Sequence, residues 1–322
     1  MKLDKPRKLN IHGWLGLFIL IAAEILLFYE VEPVVSWFYS LAWWSYILVV
    51  DSFVYRLTGN SMIMNRGRRF LLLLPWSVTV WLVFEVFNIS LHNWGYVNLP
   101  SNIWLRWTGY AIAFATVLPG IFQTFELLDA FGLLKGHAIK PLSNARALNV
   151  PFVVIGVAML VLSAVFPLYC FPLVWGGFIF LLEPFNRSGG GVSLLRQWEE
   201  GSLRTFWLLL GAGLICGLLW EFWNMWSGSK WIYSVPFVGF LKVFEMPVLG
   251  FLGFPPFAVE CYAMYGFAAM MLNVRSWERE APLPAKPGHP FWTHVLVYLI
   301  MAGFWALAFY LIDRYTVVSF AS

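Results

Sequence analysis

Charge is what this chain has least of. Aspartate, glutamate, lysine and arginine together make up 12% of its 322 residues, against about 25% in soluble domains. That shortage excludes a soluble globular domain, and no nucleic-acid partner is expected. Cysteine is scarce as well. Cys170, Cys216 and Cys261 stand alone within apolar runs, so neither a disulfide framework nor a zinc site is indicated. The five histidines, His12, His92, His137, His289 and His294, show no HxxH or HxxxH spacing. This argues against a di-iron site and against haem held by paired helix histidines. No metal is expected, and no motif names a cofactor. Gly189-Gly190-Gly191 matches no phosphate-loop pattern and reads as a flexible loop. A small-residue cleavage site is also missing after the first apolar run, Trp14–Phe28, which only Glu24 interrupts and which Lys2, Lys5, Arg7 and Lys8 precede. The run therefore reads as a retained membrane helix, not a cleaved signal peptide.

Long hydrophobic runs dominate, and 60% of the residues are hydrophobic. A membrane-spanning helix needs about 20 apolar residues. Nine such spans are expected, over 13–29, 35–56, 70–90, 108–133, 150–170, 172–185, 206–226, 254–273 and 291–312. The sixth is short unless its helix continues past Pro184. The fold class is thus an all-α polytopic membrane protein. Arg66, Arg68, Arg69, Lys135, Lys140, Arg146, Arg187, Arg196, Arg204, Arg275, Arg279 and Lys286 fall in loops on one side with the basic N-terminus. Arg106, Lys230, Lys242 and Arg314 fall on the other. The bias towards one side places the N-terminus in the cytoplasm and the C-terminus outside. A bacterial inner membrane is the default expectation.

One pattern occurs twice. Glu85, Asn88, Trp94, Tyr96 and Pro100 recur as Glu221, Asn224, Trp231, Tyr233 and Pro236. Around it, Pro33 matches Pro167, Asp51 and Arg56 match Glu183 and Arg187, Arg69 matches Arg204, and Pro119 matches Pro256. The expected organisation is a four-helix repeat over 1–134 and a linker over 135–150. A second repeat covers 151–274, a linker 275–290, and a ninth, added helix 291–322. Four spans per unit give both units the same orientation, so the repeats are parallel. The second unit has acids, Glu245 and Glu260, where the first has Arg106-Trp107 and Gln123, which points to the second as the active half.

An ionisable side chain in a membrane helix is costly and marks a functional site by default. Glu221 and Asn224 share a helix face, as do Glu85 and Asn88. They read either as a site for a headgroup, cation or proton, or as a device closing the helix end. Trp94, Tyr96, Trp231 and Tyr233 are either interface anchors or faces that steady a cation. Trp220, Trp223 and Trp226 crowd the second cluster and can line a cavity. In Phe244–Glu260, three prolines and two glycines forbid a continuous helix. The eighth helix is expected to start near Pro255, with Glu260 on its first turn. Glu245 is either functional or paired with Lys230 or Lys242. Asp51–Arg56 and Glu183–Arg187 read as structural pairs, and Gly211, Gly213 and Gly217 as close helix packing.

The order Glu221-Phe-Trp-Asn224, Trp231-Ile-Tyr233, then Pro256-Phe-Ala-Val-Glu260 resembles carotenoid-modifying membrane enzymes, the heterodimer-type lycopene cyclases and related carotenoid hydratases. The resemblance covers about 40 residues, with an echo over Glu85–Gln123. The family's acidic pair is not reproduced, since Cys261 follows Glu260, and its members use fewer spans per repeat. The resemblance implies that a buried acid protonates an isoprenoid alkene while aromatic faces shelter the carbocation. Glu221 or Glu260 would then be the general acid, with Glu245 as a further candidate and Asn224 and Tyr233 as orienting partners. Glu85, Asn88, Trp94, Tyr96, Trp220, Trp223 and Trp231 would hold the substrate. Three readings follow: an enzyme acting on an isoprenoid or lipid-like molecule, a proton- or cation-coupled transporter, and a non-catalytic membrane subunit. The expected partner is a membrane lipid or apolar small molecule.

Overall fold

The computed structural model describes residues 8–281 and 288–321. Lys2, Lys5, Arg7 and Lys286, and Pro282, Pro284 and Pro287 of the second linker, lie outside the described residues. Among the described residues, nine helical segments are long and apolar enough to cross a membrane. The protein is an all-α polytopic membrane protein.

The chain runs α1 (Ile11–Phe28), α2 (Val34–Thr58), α3 (Met62–Leu91), β1 (Trp94–Val97), α4 (Ile103–Phe114) and α5 (Val117–Ala130). It continues with α6 (Asn149–Val165), α7 (Pro167–Cys170), α8 (Val174–Gly189), α9 (Leu194–Glu199) and α10 (Arg204–Trp226). Then follow β2 (Lys230–Tyr233), β3 (Lys242–Val243), β4 (Met246–Pro247), α11 (Phe254–Met271) and α12 (Phe291–Tyr315). The fourth span is α4 and α5 together, joined at Ala115–Thr116. The sixth does continue past Pro184, reaching Gly189. The third is longer than its sequence suggests, starting at Met62, where Ser61 caps it by accepting from the Met64 N–H.

Apolar side chains cover the outside. Phe18 and Ile25 of α1, Val150 and Val154 of α6 and Leu296 and Leu299 of α12 are exposed. In water that surface would be prohibitive, and in lipid it is the expected one. The interior is built mainly by α2, α3, α5, α8, α10 and α11. Gly213 and Gly217 let α10 close on α11: a Cβ at Gly213 would stand 2.4 Å from the Phe254 carbonyl oxygen, and one at Gly217 2.3 Å from the Phe254 ring.

The two ends of the bundle differ. At one end β1 and β2 form a two-stranded antiparallel ribbon. The residues after α12 add to it, through bridges from Val317 to Tyr96 and from Phe320 to Leu99. The other end carries most of the described basic loops. There Gly189-Gly190-Gly191 is no flexible loop. Gly190 ends α8 in the left-handed conformation, φ 80°, and Gly189 and Gly191 press on Met270.

Residues 275–281 are not a free linker either. Trp277 is buried and stacked on Phe122, with ring centroids 4.3 Å apart. Arg66 donates to the Trp277 carbonyl at 2.6 Å, and Arg69 to those of Ser276 and Glu278. A charged, proline-rich sequence gave no sign of this insertion.

Candidate functional site

The ribbon pairs the two copies of the repeated pattern with each other. Trp94 lies opposite Tyr233, Gly95 opposite Ile232 and Tyr96 opposite Trp231. Each position therefore faces the mirror-order partner of its own equivalent, as in a self-complementary contact. Four-residue strands between membrane helices were invisible in the sequence, where the Trp-x-Tyr segments read as interface anchors or cation-steadying faces.

Each asparagine ties its helix end to the ribbon. Asn88 Nδ2 donates to the Trp94 carbonyl at 2.8 Å, and its Oδ1 accepts from the Asn93 and Trp94 N–H groups. Asn224 Nδ2 donates to the Trp231 carbonyl at 2.8 Å and its Oδ1 accepts from the Trp231 N–H. Both amide groups are thus engaged with strand backbone.

Each glutamate receives a tyrosine. Tyr96 donates to Glu85 Oε1 at 2.5 Å, and the Trp94 indole donates to the same oxygen at 3.1 Å. Tyr233 donates to Glu221 Oε1 at 2.8 Å, while the Trp231 indole donates to the Tyr233 oxygen at 2.7 Å. The two carboxyls are 1% and 0% exposed, and Oε2 of each has no hydrogen-bond partner among the described residues. Burial, then the adjacent carboxyl, pushes the hydroxyls of Tyr96 and Tyr233 well above the ordinary tyrosine range, so both stay protonated donors.

A cavity of about 180 Å³ lies against the ribbon, on the face that carries both Trp-x-Tyr pairs. Trp94, Tyr96, Trp231 and Tyr233 line it together with Trp81, Trp175, Trp220 and Phe257. Glu85 and Glu221 stand behind their tyrosines and do not line it. Trp223 does not line it either. It packs on Trp43 and Tyr46, and Trp226 is exposed. Two cations reach the cavity rim, and both are neutralised. Arg106 grips Asp313 through Nε and Nη2 at 2.8 and 2.7 Å. Lys230 pairs with Glu245 at 2.5 Å. The ion pair is thus what the structure shows for Glu245.

Glu260 is fully buried but is the seventh residue of α11, on its second turn and not its first. The helix terminus is therefore not what holds it. Its Oε1 accepts the Phe178 N–H at 2.9 Å, close to the break in α8 at Trp175. Gln123, its counterpart in sequence, donates to Asp51 Oδ1 at 3.2 Å.

Several polar sites escaped the sequence reading. Asp313, on the ninth helix, accepts from Arg106, Trp107 and Tyr110; a contact spanning some two hundred residues has no local signature. Asp51 does not turn to Arg56, nor Glu183 to Arg187. Asp51 accepts from Ser61 Oγ at 2.7 Å and the Ile63 N–H at 2.8 Å, and lies 3.1 Å from His12 Nε2. Glu183 accepts from Ser193 Oγ at 2.8 Å and the Leu195 N–H at 3.0 Å. Arg187 pairs with Glu199 at 2.6 Å. Each acid thus seats the serine ten residues on that caps the next helix, and that shared spacing was the available signal. Among the described residues, no group of three or more His, Cys, Asp or Glu is placed to hold a metal.

No family model, no curated protein and no solved structure matches this chain.

Proposed function

We propose that this membrane protein binds the end of a long, uncharged, isoprenoid or lipid-like molecule in the aromatic cavity and acts on it by acid chemistry. The observation that carries this reading is the pairing of an aromatic cavity with two buried glutamate–tyrosine hydrogen bonds behind its walls. Three physical points support it. The walls are aromatic, which suits an apolar chain and, after protonation, a carbocation. The rim cations are already paired, so a charged ligand would meet no free countercharge. The volume is below the about 300–1,000 Å³ of drug-sized sites, which suits one end of a chain whose remainder stays in the bilayer.

In this reading the Tyr233 hydroxyl turns from Glu221 towards the cavity, so that Glu221, in its acid form, donates in its place and passes a proton to the Tyr233 oxygen as Tyr233 passes its own to an alkene carbon. The alkene π pair forms the new C–H bond and leaves a carbocation facing the tryptophans. Loss of a neighbouring proton, or addition of water, relieves it and returns a proton to the carboxylate. Glu85 and Tyr96 form the matching wall. The likeness to carotenoid-modifying enzymes points to the same chemistry, and the second half is read as the active one. The two units are read as diverged parallel copies. The basic end is assigned to the cytoplasm and the ribbon to the outer face.

The test is expression in a host that makes acyclic polyprenoids, with profiling of neutral lipids. A new product is expected with the native chain. Tyr233→Phe is expected to lower it by at least about 100-fold, the scale of a lost proton-transfer group. Unchanged profiles across several polyprenoid hosts would leave the cavity without the chemistry assigned to it.

A further inference from the structure

One acid in the spanning helices differs from all the others. Asp51, Glu85, Glu183, Glu221, Glu260 and Asp313 are each turned inwards and accept hydrogen bonds. Glu126 and Asp129 pair with Arg66 and Arg204. Glu24, in α1, is exposed and meets no hydrogen-bond or ion-pair partner among the described residues. The helix is 18 residues long, about 27 Å at 1.5 Å per residue, and so shorter than a hydrocarbon core of roughly 30 Å. Glu24 therefore lies inside that core, one helical turn before Phe28 ends α1. Side chains on a helix lean towards its N-terminus, so the carboxyl leans away from the nearer water. An acid left facing lipid is costly, and acids at such depth pair with one another or with other groups.

The flank of α1 that carries Glu24 is uncovered. Gly13, Gly16 and Ala23 are buried, and Gly13 and Gly16 press on Ser52 and on the Ser45 carbonyl of α2. Beside that contact, Trp14, Leu17, Ile21, Glu24 and Phe28 follow one another at alternating steps of three and four residues. That spacing lines them up as a single seam along the helix. Leu17 is half-buried, and the other members of the seam are exposed.

We propose that this seam joins two copies of the chain, α1 against α1, with the two Glu24 carboxyls hydrogen-bonded to each other. Copies inserted in the same sense are related by an axis along the membrane normal. Their α1 helices then meet as a parallel pair, and each residue of the seam faces its own counterpart. A carboxyl in its acid form both donates and accepts, so two of them answer each other and leave no charge in the lipid. Ile21 and Phe28 pack on their counterparts on either side and keep the pair dry. This self-match is what favours a second copy over a helix of another protein, which would have to bring its own polar group to the same depth. The interface is independent of the aromatic cavity and of the chemistry proposed there.

The test is single-molecule photobleaching of the full-length protein, one fluorophore per chain, in liposomes over a range of protein-to-lipid ratios. The native chain is expected to bleach in two steps at high ratio and in one step on dilution. Glu24→Leu keeps the seam apolar but removes the polar pair, and is expected to weaken dimerisation by about tenfold or more, the scale of hydrogen bonds between membrane helices. Glu24→Gln, whose amide also donates and accepts, is expected to hold it within about threefold. Oxidation with copper phenanthroline locates the contact. Ile21→Cys, in the seam, is expected to give a cross-linked dimer above the native background, and Leu15→Cys, exposed on another side of α1, is not. A native chain that stays monomeric at every ratio would overturn the proposal and leave Glu24 to a helix of another protein. So would a dimer that Glu24→Leu leaves intact, one that Glu24→Gln weakens as much as Glu24→Leu does, or cross-linking through Leu15→Cys in place of Ile21→Cys.

Discussion

Glu85 and Glu221 occupy equivalent places but differ in one hydrogen bond. Among the described residues, Glu85 Oε1 takes two donors, Tyr96 and Trp94, whereas Glu221 Oε1 takes only Tyr233, because Trp231 turns its indole N–H to the tyrosine oxygen. The second arrangement is a chain, tryptophan to tyrosine to glutamate, and such chains polarise one another. The first converges on a single oxygen. If the chain carries the proton, Glu221→Gln is expected to lower product formation by at least about 100-fold and Glu85→Gln by less than about tenfold, measured as neutral-lipid yield per unit of protein. Equal losses would remove the functional asymmetry between the two pairs. A second residue-scale expectation concerns Glu278, in the segment inserted at the basic end. Burial, opposed by a hydrogen bond from Tyr262 and reinforced by nearby Glu126, pushes its carboxyl up to about 7. The folded state then holds the proton more tightly than the unfolded chain, so stability falls as pH rises from about 4.5 towards 7 and levels off above. Melting temperatures in detergent at pH 5 and 7.5 are expected to show this drop, and Glu278→Gln to reduce it.

At the scale of elements, the ribbon is what fixes the site. Asn88 supplies three hydrogen bonds to the strand entry, so Asn88→Ala strands two N–H groups and a carbonyl in a buried setting. The expected cost is roughly 2–4 kcal/mol, read by reversible denaturation in detergent. Gly213→Leu tests the α10–α11 contact. Its side chain would run into the Phe254 backbone, which cannot swing aside, and a loss of about 1–3 kcal/mol is expected. The sequence revealed these elements unevenly. The spans were readable because twenty apolar residues have few alternatives, and Glu85, Asn88, Glu221 and Asn224 stood out because polar groups at such depth are rare. Gly213 and Gly217 were readable for the same reason: helix packing has a local spacing. The ribbon was not, since Trp-x-Tyr over four residues carries too little alternation to separate strand from loop. Asp313 and Trp277 were missed because their partners are remote in sequence, and the charged, proline-rich surroundings of Trp277 suggested exposure.

For the whole molecule, the apolar exterior, the paired rim charges and the aromatic cavity describe a membrane bundle with a neutral interior chamber near one face. Gly109, on α4, lines that chamber, and a Cβ there would meet only the Trp37 ring, at 3.9 Å. Gly109→Leu therefore fills the chamber without disturbing the Glu–Tyr pairs. The most direct measurement is mass spectrometry of the lipid that remains with the native protein after purification, set against the bulk membrane extract and against Gly109→Leu. The account expects one class of neutral, long-chain molecule enriched on the native chain and lost from Gly109→Leu at unchanged melting temperature. A profile identical to bulk membrane lipid, or one equally enriched on both proteins, would contradict it.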